Sequence, residues 1–143
     1  MTSGQYHALG EIMQEMLYAA VFYYTTLEEI KKHTGLYNKA TLKGDLKLYA
    51  NNVNKMQNKE LPKHEKKLNR YKDELRSLLS RNPDMHSSLQ KFFDAYGIDS
   101  EVSELDMDEI ALEIYFTYKR HMYQFAGLWD QPYEQFKSEY FPD

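Results

Sequence analysis

Apolar side chains recur every three or four residues along most of this chain, and that spacing is the strongest constraint on its fold. The pattern is clearest between Tyr6 and Ile30, where apolar residues stand at alternating steps of three and four. This spacing places them on one face of an α-helix, whereas a half-buried strand alternates apolar and polar residues. No segment shows convincing alternation over strand length, and no Asn-Gly or Asp-Gly pair marks a hairpin turn. We therefore predict an all-α protein.

Helix-starting and helix-ending residues divide the pattern into about five to six helices. Gly35 is expected to end a long N-terminal helix, and Pro62 to separate a second helix from a third, because proline suits the first turn of a new helix. Gly97 is expected to end a fourth helix. Asp106 begins a fifth helix with a variant of the capping box, and a short sixth starts near residue 130. The prediction is a compact helical bundle that forms a single domain over residues 1–143.

The composition narrows the chemistry and the location of the protein. Cysteine is absent, which removes disulfides, thiolate zinc ligands and thiol nucleophiles. A chain without cysteine suits a reducing compartment, so we expect a cytoplasmic protein. Its apolar runs are far shorter than the roughly 20 residues that cross a bilayer, and we predict neither a membrane span nor a membrane partner.

Charge is segregated along the chain, although the formal net charge at pH 7 is only -4. Residues 39–81 contain 12 Lys or Arg against 5 Asp or Glu, and residues 94–113 contain eight acids and no base. Local fields of this kind attract and orient partners of opposite charge. The segregated charges are therefore expected to steer and orient the encounter with a partner.

The basic segment offers the first candidate surface. Its lysines and asparagines form an outer stripe on two predicted helices, where cations would contact phosphates and amides would bond to bases or sugars. The simpler interpretation is a solvated face, because Asp73 and Glu74 interrupt the stripe and the pI is about 5.7. An acidic protein would fit the surface equally well. The candidate contacts are Lys43, Lys47, Asn51, Asn54, Lys63, Lys66 and Arg70.

The aromatic C-terminal region offers the second candidate surface. Ten of the 21 Phe, Tyr and Trp residues lie within residues 115–141. Neighbouring rings on a helix point about 100° apart, so one buried face does not hold all of them. Either the last short helix covers the rings, or some of them anchor a protein interface, where Trp and Tyr are common hot spots. The predicted interface residues are Tyr115, Tyr123, Trp129, Tyr133 and Tyr140.

No motif for catalysis or for cofactor binding stands out. Di-metal helical bundles need Glu-x-x-His pairs, yet none of the four glutamates with suitable helix spacing has a histidine three residues later. A helical wheel also places all four away from the apolar seam, which predicts solvated side chains. These four glutamates are Glu11, Glu15, Glu109 and Glu113. The six glycines are scattered singly, so no phosphate-binding loop is present. We predict no metal, no cofactor and no catalytic residue.

These patterns favour a non-enzymatic regulator that works by binding another macromolecule. The leading hypothesis is an adaptor or stoichiometric inhibitor of another protein, which includes the proteins of a nucleic-acid-processing complex. The first alternative is an RNA- or DNA-binding protein that uses the basic second and third helices, and the least favoured is a metal-dependent helical-bundle enzyme. A homodimer through the long first helix, with its Met- and Tyr-rich stripe, is a further hypothesis.

Overall fold

The computed structural model describes residues 3–98 and 100–124 of the 143. Within this part every regular element is a helix, which confirms the all-α prediction and the long N-terminal helix. The elements are α1 (Ser3–Lys39), α2 (Lys43–Lys55), a π-helical segment (Met56–Glu60), α3 (Leu61–Arg81), α4 (Met85–Ala95), a 3-10 turn (Val102–Glu104) and α5 (Met107–Gln124).

The predicted break at Pro62 is wrong. The π segment joins α2 to α3 without interruption, so the described residues form four separate helices instead of five to six. Proline lacks an N–H, and its ring clashes with the carbonyl four residues earlier in an α-helix. Here that carbonyl belongs to Asn58, inside the π segment, where hydrogen bonds reach five residues back and the turn is wider. The wider turn accommodates the proline. The predicted sixth helix, near residue 130, lies outside the described residues.

Gly35 does not end α1, which continues to Lys39. Glycine stops a helix when it adopts a positive φ, and among the described residues only Gly97 does so. The helix ends instead where the Ala40 N–H bonds to the Tyr37 carbonyl at 3.2 Å, which tightens the last turn.

Two predicted helix boundaries are confirmed. Gly97 has a φ of 79° and follows α4. Its N–H bonds to the Asp94 carbonyl and the Ile98 N–H bonds to the Phe93 carbonyl, which is the Schellman pattern. At the start of α5, the Glu109 N–H donates to Asp106 Oδ1 at 2.8 Å. The reciprocal contact, from the Asp106 N–H to Glu109 Oε1, measures 3.5 Å and completes the capping box.

The chain separates into two compact units, which carry opposite charges. The first, which we call the acidic unit, consists of residues 1–17 and 71–143, with 7 Lys or Arg against 17 Asp or Glu. The second, which we call the basic hairpin, consists of residues 18–70, with 11 Lys or Arg against 5 Asp or Glu. The overall charge of -4 therefore combines about -10 and +6. The single domain over residues 1–143 stays a prediction.

The acidic unit has a well-buried apolar core. Its α1 and α3 segments run antiparallel, because Gln5 bonds to Asn82 at 2.7 Å while Tyr71 contacts Glu15 at 3.4 Å. Residues 110–117 of α5 are all buried. A helix that is buried all round lies at the centre of its unit. The largest fully buried side chains here include Leu9, Met16, Leu75, Met85, Leu89, Phe93, Ile110, Leu112 and Tyr115.

The basic hairpin has a thin core. The ring of Phe22 stacks on that of His64 at 5.4 Å, and the ring of His33 lies 6.2 Å from that of Tyr49, so α1 runs antiparallel to α2 and α3. No residue of α2 is buried. Two layers of helix cannot cover one another completely, and several large apolar side chains therefore remain exposed.

Candidate functional site

All seven basic-segment residues predicted from the sequence are exposed, and all lie in the basic hairpin. Four of them stand on α2 and three on α3. Because α2 and α3 are parts of one uninterrupted helix, the positions of these side chains can be compared along a single axis. The seven are Lys43, Lys47, Asn51, Asn54, Lys63, Lys66 and Arg70.

Helix geometry puts these seven side chains on one side of that helix. At about 100° per residue, the four on α2 span about 80° and the three on α3 span about 60°. The π segment acts as a one-residue insertion, since the Leu61 N–H bonds back five residues to the Met56 carbonyl. The insertion turns α3 by about 100° relative to α2 and brings both groups into one sector of about 100°. We call the seven residues the basic face.

The burial of the opposite side agrees with this geometry. Leu46, Val53 and Leu61 are half-buried and Leu68 is 1% exposed. On the same helical count these four residues lie about 110–170° from the centre of the basic face. The π segment therefore keeps both the packing side and the charged side of the helix continuous from α2 into α3.

No acidic side chain interrupts the basic face. The three acids between residues 43 and 70 are Asp45, Glu60 and Glu65, and each falls at least about 60° outside the sector. Asp73 and Glu74, which were predicted to interrupt the stripe, follow its last residue and belong to the acidic unit. The basic face is therefore a continuous cationic surface.

A group of exposed apolar residues lies where α1 turns into α2. Nine large hydrophobic residues of the described part are exposed, and four of them fall within these thirteen positions. We call these four the apolar tip. The sequence patterns did not single out these four residues, because apolar spacing does not show how completely a helix is covered, and the thin core of the hairpin leaves them exposed. They are Leu36 at 37%, Tyr37 at 42%, Leu42 at 67% and Leu48 at 54%.

The predicted aromatic interface is only partly within the described residues. Tyr115 is 2% exposed, so its ring packs in the core of the acidic unit and is not offered to a partner. The prediction that Tyr115 belongs to an interface is therefore wrong, because α5 is buried on all sides over residues 110–117. The side chain of Tyr123 and the residues Trp129, Tyr133 and Tyr140 lie outside the described part.

Glu113, predicted to be solvated, is 3% exposed. It accepts a hydrogen bond from Ser100 Oγ, and donors of this kind stabilise a carboxylate away from water. Glu113 lines a cavity of about 120 Å³ together with Thr117 and Arg120. The prediction of a solvated Glu113 was wrong because the helical wheel assumes one apolar face, whereas residues 110–117 of α5 are buried on all sides. A signal was present in the sequence, because apolar residues stand on both sides of this glutamate.

The other three glutamates do not join Glu113. Glu11 is exposed beside His7, Glu15 contacts Tyr71, and Glu109 caps α5. Among the described residues, no group of three His, Asp or Glu side chains could hold a metal ion. No described helix is long and apolar enough to span a bilayer. Comparisons with protein-family models, curated proteins and solved structures found no match.

Proposed function

We propose that this protein is a non-enzymatic regulator that docks on another protein, as an adaptor or a stoichiometric inhibitor does. The observation that carries the proposal is the apolar tip, where four large apolar side chains are exposed within thirteen residues. Large apolar side chains that are exposed together in one short segment suit a surface that meets a partner. Because Trp129, Tyr133 and Tyr140 lie outside the described residues, the apolar tip replaces them as the anchor of this proposal.

The energetics of the tip suit a protein partner. Burying a leucine side chain completely contributes about 1.5–3 kcal/mol, and Leu42 and Leu48 have more than half of their surface to bury. The tip belongs to the basic hairpin, which has a formal charge of +6. Such a charge accelerates encounter with an acidic surface and orients it. The partner that fits is a protein with an apolar pocket rimmed by acidic side chains.

Affinity capture from the native host, followed by mass spectrometry, tests this proposal. The wild-type protein should retain a stoichiometric partner after nuclease treatment, and Leu42→Ser/Leu48→Ser should lose it. Tyr6→Ser/Tyr96→Ser is the matched control, because it removes two side chains that are 44% and 52% exposed in the acidic unit. Equal capture by the tip variant and the wild type would overturn the proposal, as would a partner that disappears on nuclease treatment.

The remaining sequence-based expectations accompany this proposal. A cytoplasmic location, the absence of a cofactor and a homodimer through α1 stay predictions. The dimer is checked by light scattering, where a mass of one chain, 17.1 kDa, at high concentration would contradict it. Turnover of a substrate by purified protein, abolished by a point change that preserves the fold, would contradict the non-enzymatic role.

A further inference from the structure

The basic face shares no residue with the apolar tip, so what it binds can be proposed and tested apart from the proposed function. We propose that the basic face binds double-stranded DNA through its phosphate backbone, independently of sequence, over about 12 base pairs. The sequence alone offers nucleic-acid binding as an alternative to protein docking. The continuity of the basic face in the structure now favours it.

The first argument is the match of length and charge. From Lys43 to Arg70 the helix rises by about 40 Å at 1.5 Å per residue. A duplex of about 12 base pairs has the same length at 3.4 Å per pair. Five cations and no acid lie along this line. The low pI of the whole chain is no objection, because the basic hairpin alone carries a formal charge of +6.

The second argument is the kind of side chain. Four of the five cations are lysines, which act as point charges toward phosphate, and the two asparagines supply further donors. The basic face contains no aromatic ring on which an unpaired base could stack, so it suits a duplex better than a single strand. The length match in the first argument is made with the 3.4 Å rise of B-form DNA, so DNA is the duplex to which the proposal commits.

The third argument is the role of the π segment. Without its extra residue, the cations of α3 would lie about 100° further round, and some would be roughly opposite Lys43. A single duplex could then contact only one of the two groups. The π segment is thus the positioning element that makes α2 and α3 parts of one surface, which agrees with the frequent occurrence of such segments at functional sites.

Fluorescence anisotropy with a 20-base-pair DNA duplex and the full chain tests the proposal. If about five phosphates are contacted, affinity should fall about 500-fold between 50 and 200 mM salt. Lys43→Glu/Lys47→Glu and Lys63→Glu/Lys66→Glu should each weaken binding at least about tenfold more than the control. The control is Lys31→Glu/Lys32→Glu, an identical charge change at exposed positions of α1 in the same unit. Circular dichroism verifies that each variant is helical.

The absence of duplex binding at 50 mM salt would overturn the proposal, as would tighter binding of single-stranded DNA or duplex RNA. Equal losses of affinity in the face variants and the control variant would also overturn it. So would a loss of affinity in only one of the two lysine pairs. A duplex of six base pairs gives a further test, since it spans half of the basic face and should bind much more weakly. Leu42→Ser/Leu48→Ser should leave DNA affinity unchanged. Failure of DNA binding is therefore distinguishable from failure of the protein-docking proposal.

Discussion

The Lys72 ammonium lies 2.7 Å from Asp108 Oδ1, and this ion pair joins α3 to α5 within the acidic unit. The two partners differ in exposure, with 11% for the lysine side chain and 59% for the aspartate. Water can therefore solvate the carboxylate when the ion pair is broken, whereas little water reaches the lysine ammonium. Losing the aspartate leaves a largely buried cation without this partner, and such a loss destabilises a protein more than the loss of a surface pair.

We expect Asp108→Asn to lower the free energy of unfolding by about 1–2 kcal/mol, less than for a fully buried pair because the aspartate is solvated. Urea unfolding measures the change. The matched control is Asp73→Asn, because Asp73 and Arg76 also lie 2.7 Å apart but both side chains are more than half exposed. A larger loss for the control than for Asp108→Asn would show that burial does not determine the strength of these pairs.

Asp106 should stabilise α5 through its hydrogen bond to the Glu109 N–H. Replacing an N-cap aspartate with alanine leaves that donor without its partner, and we expect Asp106→Ala to cost about 1 kcal/mol. Asp106→Ser keeps an acceptor at the same position and should restore most of the stability. The melting temperatures of the three proteins provide the measurement, and an unchanged value for Asp106→Ala would refute the role of the cap.

Gly97 should tolerate a side chain worse than Gly35 does. An added Cβ at Gly97 would lie 3.7 Å from Arg120 Nη2, an ordinary contact, so the expected cost comes from its φ of 79°. Gly97→Ala should lose about 1–2 kcal/mol of stability. Gly35→Ala, inside α1 and with nothing within 4 Å of its Cβ, should gain about 0.5–1 kcal/mol. Unfolding curves that show the same sign for both changes would contradict this assignment.

Local signals in the sequence predicted the helices and two of their ends. The apolar spacing, the glycine at 97 and the Asp106–Glu109 pair each act through atoms a few residues apart, so they do not depend on the rest of the fold. Pro62 misled the prediction because the carbonyl that would clash with its ring lies in a π segment. Neither apolar spacing nor capping residues reveal such a change of hydrogen-bond register.

The candidate site was less predictable because burial depends on which elements cover a helix. Tyr115 and Glu113 were assigned to a surface on the assumption that α5 has one buried face, yet its middle turns are covered on all sides. Leu42 and Leu48 were not singled out from the sequence, and both are exposed. The basic residues were predicted correctly as exposed, since lysine and asparagine keep contact with water in almost any fold.

Gln90 should fix the connector between α4 and α5. Its Nε2 donates to Asp94 Oδ1 and to the Ser100 carbonyl, both at 3.1 Å, and its Oε1 accepts from the Val102 N–H at 2.8 Å. Val102 is 3% exposed, so water is a poor substitute for that acceptor. Gln90→Leu should therefore cost about 1–3 kcal/mol and speed the hydrogen exchange of the Val102 amide. Normal protection of that amide in the variant would contradict the prediction.

Tyr115 and Tyr118 stand three residues apart on α5 but differ in exposure, with 2% and 36%. If Tyr115 is a core residue, Tyr115→Ala should lower the free energy of unfolding by about 3–5 kcal/mol, because it removes a buried aromatic ring and leaves a cavity. Tyr118→Ala should change stability by no more than about 0.5 kcal/mol. Urea unfolding of both variants separates a core role from a binding role, because an anchor for a partner would lose affinity when truncated while keeping its stability. A stable Tyr115→Ala variant would thus restore the interface role that the burial of its ring argues against.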